Sequence, residues 1–298
     1  MAVTAFYDVP APAKLNLHLH VLGSRADGHH LLDSLMVLID WADTLHFELR
    51  ADGALARHDV GAALPADDLC LRAARALQQA SGTTLGADIT IHKRVPWGAG
   101  LGGGSSDAAS TLLTLNRLWA LGWPLARLLP IGLALGADVP FFLAGGNARA
   151  TGIGEQLTPV VHAPRWYAVV KPAASLETRA VFAQPEVARH VQAARLAGFS
   201  ESVGRNDLQA AAESLCPDVR LAATMLFDVF GNSRMTGSGS AVFADAGEGP
   251  SPSAMLPGEW PSGWSARMCR SLERHPLAGW AGSEEVRFEV CGASRTPV

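Results

Sequence analysis

Apolar and polar positions along the first half of the chain change period several times. Lys14 to Val21 alternates strictly, with Leu15, Leu17, Leu19 and Val21 on one side, the pattern of a half-buried strand. After a polar turn at Gly23 to Gly28, Leu31 to Ile39 is mostly apolar and Thr44 to Leu49 alternates again. Asp67 to Ser81 switches to helical spacing, with Leu69, Ala73, Ala76 and Leu77 on one face. Ala87 to Val95 is again a strand, with Ile89 and Ile91 pointing one way, and it runs directly into Gly98. Ser105 to Ala120 is the clearest helix, carrying Leu112, Leu115 and Trp119 at helical spacing. Its first turn holds Ser105, Ser106 and Asp107, which suit free helical N–H groups. Leu125 to Leu135 is a shorter helix stopped by Gly136, and Phe141 to Leu143 is expected to open a strand.

The second half repeats the mixture. A strand is expected at Trp166 to Val170, helices at Glu186 to Leu196, Leu208 to Leu215 and Val219 to Phe230, and a strand at Ala241 to Ala244. Gly247 to Gly263, rich in Pro, Gly and Ser, reads as a mobile loop, and the chain beyond Trp280 as an irregular tail. Strands interleaved with helices predict an α+β fold, and the alternating early strands favour antiparallel pairing over an all-parallel sheet. Two prolines and a turn at Thr158 to Pro164 suggest a division into 1–160, 161–280 and a tail 281–298.

Composition narrows the classes. With 48% apolar and 17% charged residues in 298, the chain can bury large cores and is not disordered as a whole. Twenty-four basic against 28 acidic side chains, a formal charge of −4, argue against a nucleic-acid partner. No apolar run is long enough to span a membrane, the start lacks a signal-peptide pattern, and Cys70, Cys216, Cys269 and Cys291 are scattered without metal spacing. A reduced, cytoplasmic protein is expected, monomeric or weakly dimeric. Among the basic residues only Lys14, Lys93 and Lys171 are lysines, which raises the question of what a compact ammonium does at each.

The strongest chemical signal is Val95 to Ala109. Gly98, Gly100, Gly102, Gly103 and Gly104 lie between a strand and a helix start, followed at once by Ser105 and Ser106. Glycines let the main chain turn sharply and approach a ligand, and the helix N-terminus offers free N–H groups to an anion, so the segment is a phosphate cradle. It is not a P-loop, because Gly104 rather than Lys precedes Ser105. Gly98, Gly100 and Gly103 fit the dinucleotide spacing, yet Trp119 to Arg127 holds no acid where a ribose ligand belongs. Asp138, in the apolar run Leu135 to Leu143, is either a structural cap or a positioned catalytic acid. Lys14 is either a solvated lysine or a site cation. Met235 to Phe243 is either a plain hairpin or a second glycine–hydroxyl turn in the site.

Taken together and in this order, the Lys14 strand, the Pro96 to Ala109 loop, Gly136 to Pro140 and the Thr236 to Gly239 turn resemble those of the GHMP kinases. That resemblance implies a two-lobed fold with an ATP lobe and a substrate lobe. ATP phosphates would lie on Pro96, Gly98, Gly100, Leu101, Gly102, Gly103, Gly104, Ser105 and Ser106, with Mg2+ present. It implies Asp138 facing the acceptor hydroxyl, Lys14 beside it, and Asp68 and Lys93 toward the adenine. Pro12 to Leu17 and Arg25 to His30 are similar to the stretches of the family member that acts on a cytidine-diphosphate-linked alcohol. This implies that Asn16, His29, His30 and Phe182 contact the acceptor, with His30 and Phe182 at the cytosine; homoserine- and mevalonate-type acceptors are the alternative. His29 stands where the family often has Tyr, Asp68 where it often has Asn, and Trp97 where Met is commoner.

Overall fold

A computed structural model describes residues 3–25, 28–61, 63–185, 187 and 204–282. In chain order the elements are β1 (Ala5–Ser24), β2 (His30–Arg50), β3 (Leu55–Val60), α1 (Leu69–Ser81), β4 (Gly86–His92), α2 (Gly103–Leu118), α3 (Leu125–Leu135) and α4 (Val139–Ala144). There follow β5 (Ala148–Gly152), β6 (Gln156–Pro159), β7 (Arg165–Lys171), α5 (Thr178–Phe182), α6 (Gln209–Leu215), α7 (Pro217–Phe230), β8 (Arg234–Met235), β9 (Val242–Glu248) and β10 (Ser265–Leu272). The class is mixed α+β.

Strand β2 is the spine of the sheet. Antiparallel β1 runs along it from Ala5↔Glu48 to Ser24↔His30, with the register slipping at several bulges, one of them between Pro12 and Lys14. Its other pairings come in succession: β4 against Thr44 to Arg50, β10 at Leu38 and Ile39, and β5 against Leu32 to Met36. Among the described residues every pairing between these strands is antiparallel except β3 with β4. Strand β10 also pairs with β7, and β7 with β9, so one hydrogen-bonded sheet reaches from the first half of the chain into the second.

Three cores account for this arrangement. Phe47, Ile89 and Ile91 of the sheet pack against Leu77, Leu112, Leu115, Phe141 and Phe142 of α1, α2 and α4. Val170 and Val242 pack against Leu208, Val219 and Leu226 around α6 and α7. Between them Leu15, Ile39, Tyr167, Val169 and Phe243 form a third core, and Val95, Ala99 and Leu101 of the glycine loop are buried in it. The loop is thus held where the two halves meet.

Several expectations need correction. Phe141 to Leu143 is helical: Pro140 sits in the first turn of α4, where its missing N–H costs nothing, and Gly145 closes the helix in the left-handed region (φ 72°). A short apolar run carries no period that separates helix from strand. The first strand begins at Ala5, ahead of Lys14, and the two segments at Leu31 to Ile39 and Thr44 to Leu49 are one strand. Strands β3, β5, β6 and β10 escape the hydrophobic pattern because they are short or half-exposed. The helix expected at Glu186 to Leu196 lies outside the described residues except for Val187, as does the tail beyond Gly282.

The short β2–β10 contact is reinforced by a side chain. Buried Asn147 accepts from the Leu38 amide (2.9 Å) and donates to the Leu272 carbonyl (3.0 Å). The turn after β10 is fixed by His275, whose amide donates to Gly145 O (2.9 Å) and whose Nδ1 accepts from Leu277 N (3.0 Å). Its Nε2 is buried without a partner, and burial holds the imidazole down at about 4. The unfolded chain takes up this proton near pH 6.5 and the folded chain only near 4, so the contribution of neutral His275 is complete above 6.5 and is lost as pH falls through 4. In urea unfolding, the stability gap between wild type and His275→Gln should therefore narrow by up to about 1.4 kcal/mol per pH unit across that window. A gap that does not vary with pH would contradict this assignment.

Candidate active site

The glycine loop leaves β4 over a buried charge cluster. Asp43, fully buried, accepts the amides of Arg94 (2.6 Å) and Val95 (2.8 Å) on one oxygen and Lys93 Nζ on the other. Lys93 Nζ also donates to Asp107 (2.8 Å) on α2. Burial alone would lower Lys93, but the two carboxylates outweigh it and the ammonium titrates above its ordinary value. Burial likewise raises Asp107, against the pull of Lys93. Lys93, expected toward an adenine, thus lies beneath the first turn of α2 with both carboxylates in hand. Asp68 caps α1, accepting from Leu71 N (3.1 Å), and is ion-paired with Arg57. It stands close to the loop, since its neighbour Leu69 lies 3.6 Å from where a Cβ on Gly104 would be.

The loop needs its glycines where it meets other main chain. Gly100 has φ +73°, and a Cβ there would stand 2.2 Å from Thr236 O. Gly102 has φ +71°, and its Cβ would press on Phe142 at 3.0 Å and Lys14 Cγ at 3.1 Å. Gly102 caps α2 without any side-chain hydrogen bond, so Ser105 and Ser106 lie inside the first turn, Asp107 just beyond it, and none of them caps the helix. The first amide to bond back is Ser106 N to Gly102 O (2.9 Å). Helix geometry leaves the amides of Gly103, Gly104 and Ser105 without an intrahelical acceptor, next to the positive end of the helix dipole. Pro96 is half-buried at the mouth of this loop and Trp97 is exposed.

Lys14 is not a solvated strand-end lysine, being only 3% exposed. Its amide donates to Leu101 O (2.9 Å), and its Nζ donates to Asn16 Oδ1 and stands 3.5 Å from Asp138 Oδ2. Asn16 is fixed in turn by donating to Ser34 Oγ (2.7 Å) and, through its amide, to Thr236 Oγ1 (2.8 Å). Asp138 lies at the N-terminus of α4, opposite the start of α2, and its side chain is one-third exposed. The Thr236 to Gly239 turn closes on the loop through Ala241 N to Ala99 O (3.1 Å). Lys14, Asn16, Ser105, Asp138, Thr178, Phe182 and Ser238 share the wall of one cavity of about 300 Å³. A cation, an acid and the end of an anion cradle therefore face the same space.

Phe182, on the wall of this cavity, stacks on His30, with ring centroids 4.8 Å apart and planes at 21°. His30 Nδ1 is buried without a hydrogen-bond partner. His29 is exposed in the turn, and its carbonyl accepts from Arg25 N (2.7 Å); Ala26 and Asp27 between them lie outside the described residues. Sequence patterns missed Ser34, which orients Asn16 and donates to His18 O (2.6 Å), and Thr178, which bonds to Ser238 Oγ (2.8 Å). A lone hydroxyl on a strand carries no pattern of its own.

The chain is similar to known proteins. The family description for the GHMP kinases N terminal domain matches residues 68–146. The 4-diphosphocytidyl-2-C-methyl-D-erythritol kinase of Methylibium petroleiphilum is 60% identical, over 95% of this chain and 100% of that protein. The protein of the same name from Verminephrobacter eiseniae is 53% identical, over 94% of this chain and 99% of its own length. A crystal structure of 4-(cytidine 5'-diphospho)-2C-methyl-D-erythritol kinase superimposes with a TM-score of 0.66 at 36% identity, covering 81% of this chain and 90% of that one. Homoserine kinase from Cytophaga hutchinsonii, at 17% identity and a TM-score of 0.64 over 91% and 95% of the two chains, shares the fold. Among the described residues no helix is long and apolar enough to cross a membrane. With relatives this similar over almost its whole length, the chain belongs to the 4-diphosphocytidyl-2-C-methyl-D-erythritol kinase family of the GHMP kinases.

Proposed function

We propose that this chain transfers the γ-phosphoryl group of ATP to the 2-hydroxyl of 4-diphosphocytidyl-2-C-methyl-D-erythritol, a step of non-mevalonate isoprenoid precursor synthesis. The observation that carries the mechanism is the meeting of Lys14 and Asp138 at 3.5 Å on the wall that Ser105 also lines. Phosphoryl transfer asks for alignment and charge neutralisation more than for covalent chemistry. The free amides from Gly98 to Ser105 and the dipole of α2 would hold the phosphates. Asp138 would take the proton of the acceptor hydroxyl or hold that hydroxyl in line, and Lys14, oriented by Asn16, would offset charge on the acceptor oxygen as it builds. Phe182, on the cavity wall, and His30, stacked on it, would offer aromatic surface to a cytosine. Asp68 and Lys93, both already ion-paired, would bound the adenine side through the surfaces they hold in place.

Magnesium fits this set of donors as an ion carried on the nucleotide. Among the described residues no group of three or more carboxylate, imidazole or thiol side chains could hold a metal by itself. Ser106 Oγ, buried and without a hydrogen-bond partner at the start of α2, is the protein oxygen such an ion would take. Bound there, the ion would neutralise charge on the β- and γ-phosphate oxygens.

Three measurements test the proposal. Purified protein supplied with ATP should release ADP with the cytidine-diphosphate methylerythritol acceptor; turnover with homoserine or mevalonate in its place would refute the acceptor. Asp138→Asn should lower kcat by about 10²-fold or more while KM for ATP changes by no more than about threefold, the signature of a group acting at the acceptor. Lys14→Arg keeps the charge but replaces a compact ammonium by a broad planar fork in a buried slot, so kcat should still fall by about tenfold or more. Wild-type turnover in either variant would remove that residue from the mechanism.

A further inference from the structure

The third lysine has no place in the mechanism so far. Lys171 ends β7, is 6% exposed, and pairs with no carboxylate among the described residues. Its Nζ instead donates to Ala173 O (3.1 Å), Ala174 O (3.1 Å) and Ser175 Oγ (3.2 Å). Ser175 Oγ spends its single proton on Trp97 O (3.2 Å), so toward Lys171 it can only accept. Three acceptors around one nitrogen require three N–H donors, which only the ammonium form has; a neutral amine has two. An arginine, with its donors in a planar fork, cannot occupy this tripod, which accounts for a lysine in a chain whose other cations are mostly arginines.

What the tripod holds is a strap, residues 172–177, between β7 and α5. Besides the Ser175 contact, Ser240 Oγ donates to Ala174 O (2.5 Å), which ties the strap to the second glycine turn. At its other end the strap packs on the mouth of the phosphate loop, where a Cβ on Gly98 would stand 2.8 Å from Ser175 Cβ. A charged donor polarises the hydroxyl it bonds to, strengthening the next bond in the chain. That next bond fixes the Trp97 carbonyl. In a planar trans peptide the following N–H points opposite to the carbonyl, so anchoring Trp97 O on the strap sets the Gly98 amide pointing away from it.

We infer that Lys171 is a positioning residue for the nucleotide: acting through Ser175, it fixes the direction of the Gly98 amide at the mouth of the phosphate cradle. This deepens the proposed function and rests on ATP phosphates lying on Gly98 to Ser106. Lys171 touches neither reacting atom, so its loss should be felt in nucleotide binding and not in the chemical step. Burial lowers Lys171 from its ordinary value, in keeping with an ammonium held by neutral groups alone.

The test pairs steady-state kinetics with amide hydrogen exchange on the full-length protein, using a non-hydrolysable ATP analogue. In wild type the analogue should protect amides between residues 96 and 106. In Lys171→Met the same protection should need about tenfold more analogue, and KM for ATP should rise about tenfold with kcat and acceptor KM within about twofold. Ser175→Ala, which breaks the relay but leaves the ammonium, should shift both readouts the same way by about threefold, and it serves if Lys171→Met does not fold. If the folded variants melt at lower temperature but bind nucleotide as wild type does, Lys171 is merely structural and the inference fails while the cradle stands. If the analogue leaves the wild-type loop unprotected, the cradle itself is wrong and this inference falls with it.

Discussion

An ammonium cannot be taken out of water without acceptors to replace its hydration, and the placement of Lys14 is organised around that cost. The bulge before Lys14 lets its amide reach Leu101 O, while its side chain turns toward Asn16 and Asp138. One residue thereby fastens β1 to the glycine loop through the main chain and to the segment before α4 through its charge. Asn16 passes the constraint on to Ser34 and to Thr236 of the second glycine turn. Because each partner is itself held, the ammonium and the acid meet with little freedom to rearrange, the condition under which fixed charges act on a reacting group.

The same logic recurs at each lysine. Lys93 is sunk beneath the loop between Asp43 and Asp107, and Lys171 beside it in a ring of neutral oxygens. All three lysines of the chain lie around a single loop, Lys14 and Lys171 buried and Lys93 largely so. Glycines alone would leave that loop with high conformational entropy and no defined amide directions. Buried ammonium groups compensate for this flexibility: each must satisfy several acceptors at once, and those acceptors are the carboxylates and carbonyls that border the loop. Apolar packing of Val95, Ala99 and Leu101 in the central core completes the restraint.

Much of this was legible in the order of residues. The helices expected from the sequence match α1, α2, α3, α6 and α7 within a few residues, and the strands expected at 87–95 and 166–170 match β4 and β7. The phosphate loop was visible because its glycines and serines fall between a strand and a helix start, whereas Lys14, Asp138 and the Thr236 to Gly239 turn each left two readings open. Less was visible where pattern and packing part company. Phe141 to Leu143 is too short for its period to show, and β10 is half-exposed, so its role as the strand that joins the two halves is written in its partners. The hydroxyls expected at the start of α2 lie inside its first turn and do not cap it, because Gly102 takes the capping position with a left-handed backbone.

What the chain determined by itself is local: which stretches coil or extend, where the main chain can bend past its neighbours, and that a phosphate-sized anion suits the start of α2. Each of those follows from side-chain volume, branching and the absence of a Cβ, properties a residue carries anywhere. Only the tertiary structure decided that Lys14 is buried and not solvated, that Asp138 is its neighbour, that Lys93 bridges two acids, and that Lys171 reaches the loop through Ser175. Those are relations between segments far apart in sequence. They arise because a low-dielectric interior makes every buried charge seek particular partners, and the fold, not the neighbouring residues, supplies them.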